Sequence, residues 1–330
     1  SGDASNIRER THMSLSSYRR GAVWQGVAGM ALSAALSLSL VAPAAGEIEL
    51  ADNLTIDGFI DMSTVFADDG DDSTVTGGVD QMEVDFHLDF GEMTARIDIN
   101  SLPTGVEMEE AHVVYTPEDM KDIGLSVKVG RFLSTFGWET AEPTGLYQFS
   151  VSEGIPYPGY QNGVAVSVAP DEKVGLYVAA MPSVWDVTET DWETIGFEGQ
   201  VAVMPVPEVT AKVGFAAEDM GDYYQSELNA WATFTTGDLT LAGEIDLLSN
   251  WGADGEAGLH FLGMANYALT EKLGVTGRFS GIDMDSAETS TEVTVSPGYA
   301  VNDNWFLLAE FRRNLDAETT QVAVEQIFTF

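Results

Sequence analysis

The sequence predicts an all-β fold: a closed transmembrane antiparallel β-barrel of about sixteen strands, with a long third external loop folded into the lumen. Three observations predict it. Apolar and polar residues alternate with period two from about residue 54 to the last residue, Phe330, as in strands with one wet and one greasy face. The connections fall into two kinds, tight turns at one end of the strands and mostly longer acidic loops at the other, the asymmetry of a membrane barrel. One stretch, Leu133 to Gln161, fits neither a strand nor a helix. It is rich in glycine, proline and aromatic residues, and a segment that long between strands is a functional loop.

The chain begins with residues 1–12, which read as added or upstream sequence before Met13. Arg19 and Arg20 precede an apolar run from about Val27 to Val41, and Ala42-Pro43-Ala44 is a small-x-small cleavage site. Residues 13–44 therefore read as a secretory signal peptide, too short and too rich in Ala and Ser for a membrane anchor. Residues 45–330 are expected to form a single barrel. The chain carries 14 basic and 53 acidic residues, a formal charge of −39. Loss of residues 1–44 removes four arginines and two acids and leaves about −41, which excludes nucleic acid as a partner. There is no cysteine, so disulfides and thiolate metal sites are excluded. No later run is long and apolar enough for a membrane helix.

The strands are expected at 54–66, 79–90, 93–100, 106–115, 123–132, 162–169, 173–181 and 194–204. They continue at 208–217, 225–235, 239–247, 258–268, 272–281, 291–300, 304–312 and 320–330. Gln81 to Phe90 shows the pattern best: Met82, Val84, Phe86, Leu88 and Phe90 alternate with Gln81, Glu83, Asp85, His87 and Asp89. Gly91-Glu92 then turns the chain into the next strand. The expected longer loops are 67–78, 133–161, 182–193, 218–224, 248–257, 282–290 and 313–319, with 101–105 short. Rows such as Val209, Ala211, Val213 and Phe215 suit lipid. Tyr115, Tyr267, Tyr299 and Trp305 near strand ends suit an interfacial girdle. The final strand places Val322, Val324, Phe328 and Phe330 on one face, and barrel closure removes the apolar edge it would otherwise expose.

Parity assigns the lumen wall. Its cations are Arg96, Lys128, Lys212, Arg278 and Arg312. They are outnumbered by Glu83, Asp85, Asp98 and Glu110, together with Asp57, Asp61, Asp89, Glu198, Glu227, Glu244, Asp246, Glu292, Glu310 and Glu325. The 133–161 loop adds Glu139, Glu142 and Glu153 at the expected constriction. A low-dielectric wall focuses such a field into the water column and concentrates cations. Salt adaptation of the whole surface is the competing explanation, since the outer loops are acidic too.

These residues resemble Gram-negative outer-membrane porins. Val324-Glu325-Gln326-Ile327-Phe328-Thr329-Phe330 looks like the signal, with Phe328 and Phe330 central, that the barrel-assembly machinery reads in that group. General porins have sixteen strands and a third external loop, between strands five and six, that folds into the pore; 133–161 falls in that slot. Phe136-Gly137-Trp138-Glu139 loosely resembles the porin loop motif. With Val129-Gly130-Arg131-Phe132 and Asn162-Gly163-Val164 it also resembles the putative beta-barrel porin-2, OmpL-like, family. The resemblance implies a passive diffusion channel for small hydrophilic solutes or cations, in the outer membrane of a Gram-negative bacterium, against lipid and lipopolysaccharide. A homotrimer is implied as well, but 101–105 is too short for the latch general porins use, and the oligomer stays open.

Other functions were weighed on the same residues. Asp68-Asp69-Gly70-Asp71-Asp72 lacks the spacing of an EF-hand and reads as a solvated tip. His87 and His112 read as lumen histidines rather than metal ligands, and neither metal nor cofactor is expected. No Gly-x-Ser-x-Gly occurs and His260 has no evident serine and acid partner, so an enzyme is not expected. The alternative to a channel is a structural barrel, a sleeve around a partner or an adhesin.

Overall fold

The computed structural model describes residues 47–139, 142–252 and 255–330. The upstream residues 1–12 and the predicted signal peptide 13–44 lie outside them. Strands β1 (Ile48–Ala51), β2 (Leu54–Asp68), β3 (Ser73–Asp89), β4 (Met93–Leu102), β5 (Gly105–Tyr115) and β6 (Ser126–Leu133) come first. Then follow β7 (Tyr160–Asp171), β8 (Val174–Met181), β9 (Gly196–Val206), β10 (Val209–Asp219), β11 (Tyr224–Thr236) and β12 (Leu239–Trp251). The chain ends with β13 (Glu256–Ala268), β14 (Leu273–Met284), β15 (Ser290–Asn302), β16 (Trp305–Asn314) and β17 (Thr320–Thr329).

From β2 to β17 every strand pairs antiparallel with its sequence neighbours, and β17 pairs with β2, so sixteen strands close a ring. Closure leaves no lateral edge with unpaired backbone groups, which is what lets strands cross a bilayer. No helix among the described residues is long and apolar enough to cross a membrane. The strand missed by sequence is β1. It pairs with Leu54, Thr55 and Ile56 of β2, on the side where β17 covers residues 59–68.

Burial alternates with chemistry. Outward positions such as Val213, Phe215, Ile245, Leu247, Phe279 and Val324 are exposed, whereas their neighbours Lys212, Glu244, Asp246, Arg278, Ala323 and Glu325 are buried in the interior. An apolar exposed band around a polar interior is the reverse of a soluble protein and fits lipid outside. Tyr115, Tyr267, Tyr299 and Trp305 are exposed near the rim that carries the tight turns.

Most loops at the other end are shorter than the sequence suggested. The predicted loop 67–78 is a tip of four residues, 69–72, because β2 and β3 stay paired out to Asp68 and Ser73. Ladder hydrogen bonds do not need apolar side chains, so polar strands continue past the apolar band. The tip is organised by its acids: Gly70 N–H donates to Asp68, and the N–H groups of Asp71 and Asp72 donate to Asp69. Those two donors, Asp72 first, hold the Asp69 carboxyl below its ordinary pKa. Residues 220–223, 285–289 and 315–319 are similarly compact. Only 134–159 and 182–195 are long at that end. At the opposite end, 116–125 is the longest turn, and a 3-10 helix, Glu118–Ile123, fills part of it.

Several pairings shift register close to a turn, and two bulges lie farther inside the strands. One lies in β2–β3 between Asp61 and Met62. The other faces Asp98 with two residues of β5, since Ile97 pairs with Ala111 but Ile99 with Met108. An extra residue shifts the side-chain phase. Glu109 and Glu110 therefore both turn inward, where alternation alone selects only Glu110.

Candidate functional site

The site is built on segment 134–159, anchored at its root by apolar packing. Phe132, Leu133 and Phe136 bury against Tyr157, Tyr160, Ala165, Tyr177, Met181 and Ala216. Gly214 of β10 makes room, because a Cβ there would lie 2.8 Å from the Phe136 ring. Farther along, Trp138 packs against Tyr147 and against Trp231 of β11. Phe149 joins Phe59, Phe306, Leu308 and Ile327, an apolar patch on the inner face that sequence alternation did not single out.

A non-regular segment has backbone N–H groups with no ladder to join. Here the acids of the wall accept them. Glu198 of β9 takes the Thr135 N–H at 3.2 Å and the Ser134 hydroxyl at 2.7 Å. Glu244 of β12 accepts the Trp138 N–H at 3.1 Å from both oxygens. Glu310 of β16 accepts the Ser150 N–H at 3.1 Å, and Glu292 of β15 the Glu153 N–H at 3.2 Å.

The cations complete the attachment. Arg278 of β14 donates to Glu139 at 2.7 and 2.9 Å, to Glu292 at 2.7 Å, and to the Ser150 and Val151 carbonyls at 2.7 and 3.1 Å. Arg312 of β16 joins Glu153 at 2.6 Å and Glu292 at 2.5 Å. On the wall, Arg96 bonds Asp98 at 2.7 Å and approaches Asp85 at 3.4 Å. Lys212 lies over the Trp231 ring and Lys128 over the Phe132 ring. His87 lies 3.2 Å from Asp57, and His112 lies 2.9 Å from Glu110. Glu142 is buried on the side of the wall where Glu83 and Glu109 stand.

Asp89, selected by parity for the lumen, is instead exposed at the end of β3. His260 does have partners, contrary to the sequence reading: its Nδ1 lies 2.6 Å from Asp246 and its Nε2 lies 3.0 Å from the Ser152 hydroxyl. Their sequence separations hid them, since the serine comes from the segment and the acid from β12. The arrangement has the order of a nucleophilic relay but not its surroundings. His260 is 0% and Ser152 2% exposed. The N–H groups of Ser152 and Glu153, which could have stabilised an oxyanion, donate to Glu139 and Glu292. The relay ties the segment to the wall.

No curated protein matches the chain in sequence. Solved structures share its fold at low identity. The outer-membrane channel DcaP of Acinetobacter baumannii superposes with a TM-score of 0.65 at 11% identity, covering 87% of this chain and 100% of its own. OmpF of Salmonella typhi, solved with daunomycin, gives 0.64 at 10%, covering 86% and 100%. An anion-selective porin from Comamonas acidovorans gives 0.63 at 15%, covering 84% and 99%. Residues 78–327, from within β3 to near the end of β17, match the family described as putative beta-barrel porin-2, OmpL-like, and the chain belongs to that family.

Proposed function

We propose that the protein is an outer-membrane diffusion channel for small hydrophilic solutes, that segment 134–159 lies across its lumen as the constriction, and that it prefers cations. One observation carries the reading. Segment 134–159 bonds to inward side chains of β9, β12, β13, β14, β15 and β16, so the groups lining any water path are those of the segment and the acidic wall. Carboxylates outnumber cations there, and fields in a narrow low-dielectric passage are weakly screened. Fold alone does not set the sign, because an anion-selective porin shares it.

The test is a reversal-potential measurement in a salt gradient on two variants. Glu139→Gln with Glu142→Gln and Glu153→Gln should lower cation preference clearly. Asp68→Asn with Asp69→Asn, Asp71→Asn and Asp72→Asn should change it little, because that tip lies in bulk electrolyte where about 10 Å of 0.1 M salt hides a charge. Equal shifts would remove the constriction from 134–159 and make the acidity a general surface trait. A second reading, a sealed barrel acting as sleeve or adhesin, is favoured by the burial of Phe136, Glu139 and Glu142 beneath the segment's contacts. Absence of conductance steps from the folded protein in a planar bilayer would establish it over the channel.

A further inference from the structure

Three buried carboxylates meet with no salt bridge to any of them among the described residues. Glu83 of β3, Glu109 of β5 and Glu142 of segment 134–159 each place one oxygen so that all three lie within 4.8 Å of one another. They are 0%, 0% and 2% exposed. Neither oxygen of Glu83 accepts a hydrogen bond, nor does Oε2 of Glu109 or of Glu142. Asn100 of the intervening strand β4 donates its Nδ2 to Glu109 Oε1 at 2.8 Å, while its own Oδ1 is buried without a donor. Arg96 gives its Nε to Asp98 and brings Nη2 to 3.4 Å from Asp85, and neither Nη1 nor Nη2 hydrogen-bonds to the three glutamates. Elsewhere Glu198, Glu244, Glu292 and Glu310 serve as acceptors for the segment. Here the buried acids face one another.

Buried like charges at this range need a counter-charge or protons. We infer that Glu83, Glu109 and Glu142 form a binding site for a divalent cation of the Ca²⁺ class, which ties segment 134–159 to the β3–β5 side of the wall. The donor set is oxygen only, the choice of a hard cation, and it contains no imidazole or thiolate for zinc or copper. Oxygens about 2.3–2.6 Å from Ca²⁺ span up to about 5 Å across the ion, which accommodates the observed separations, whereas Mg²⁺ needs a tighter octahedron. The bulge in β5 is what makes the site, since it turns Glu109 inward beside Glu110. The opposite side of the segment is already held by Arg278 and Arg312. A cation at Glu142 would complete a clamp from both sides. The inference rests on the segment's place in the barrel, not on conduction.

The experiment uses the folded full barrel in detergent, stripped with a chelator and titrated with Ca²⁺ by calorimetry. Chymotrypsin cleavage within 134–159, which holds several aromatic residues and no lysine or arginine, reports the clamp. The expected result is one ion per barrel and at least tenfold slower cleavage with Ca²⁺. Glu142→Gln should abolish both effects, and it lies off the strands, so the barrel still forms. Glu83→Gln should do the same. The tip variant Asp68→Asn with Asp69→Asn, Asp71→Asn and Asp72→Asn should retain both. No binding by the wild type, or equal binding and protection in Glu142→Gln, would overturn the site and indicate carboxyls that share protons. A barrel that conducts but binds no Ca²⁺ would sink this inference alone. One that binds Ca²⁺ without conducting would sink the channel reading alone.

Discussion

Arg278 concentrates the attachment of the segment in one buried side chain, with two carboxylates and two carbonyls around its guanidinium. Removing one partner of a buried ionic network leaves the others desolvated and unpaired, at about 3–5 kcal/mol. Arg278→Met should therefore lower the unfolding midpoint in detergent by a readily measured amount. Glu153→Gln should change it by about 0–1 kcal/mol, because the Glu153 side chain is 36% exposed. Similar losses in the two variants would mean that the Arg278 network is not under strain-free tight bonding. At this scale alternation and burial agree where strands are regular: Arg96, Lys212, Arg278, Glu83 and Asp85 are buried on the side alternation selects. The sequence was not legible at Glu109, where a bulge resets the phase, or at His260, whose partners are fixed by barrel closure and the course of the segment.

Segment 134–159 stays in place through a few close approaches, among them Phe136 over Gly214 and Gly154 against Ile282. Gly214→Val would push a methyl group into the ring, an overpacking of about 1–3 kcal/mol. The strain falls on the segment, because the backbone ladder of β10 with β9 and β11 is unaffected by an added side chain. The expected outcome is faster chymotrypsin cleavage within the segment, with an unchanged heat-induced shift of the barrel on a gel. Loss of that shift would show that the segment and the ring form one cooperative unit. The sequence located this segment to within two residues at each end, since its glycines and prolines interrupt period two. It did not reveal the apolar inner patch that receives Phe149, because Phe306 and Leu308 read as ordinary strand residues until the partner strands fix which face is inside.

For the whole barrel, closure runs through β17. The backbone of Phe330 exchanges hydrogen bonds with Gly58, N–H to O at 3.0 Å and O from N–H at 3.1 Å. Its ring lies over Gly58, where a Cβ would come within 2.9 Å of it. One such side chain contributes about 1.5–3 kcal/mol of burial, too little to unfold sixteen paired strands. Deleting Phe330 should accordingly reduce outer-membrane levels in cells sharply while leaving the protein refolded in detergent heat-modifiable. Normal membrane levels after deletion would show that Phe330 has no part in assembly. Ring closure was legible from strand number and turn spacing; loop length was overestimated because hairpins stay paired beyond the apolar band.

The short strand β1 has a further consequence. Both β17 and β1 run antiparallel to β2 on the same side, β17 ending with Thr329 opposite Phe59 and β1 starting with Ile48 opposite Ile56. They lie along β2 as two pieces of one interrupted strand, Phe330 bonded at Gly58 and Ile48 paired at Ile56. A circularly permuted chain that fuses Phe330 to Glu47 and opens at the turn Gly237-Asp238 therefore requires no linker and should keep every rung of the ring. Refolded in detergent, it should match the parent in circular dichroism and heat-induced gel shift. Inside cells, levels well below the parent's would show that Val324–Phe330 serves assembly only at a free strand end. Folding and delivery would then be separated by a rearrangement that alters no inter-strand contact.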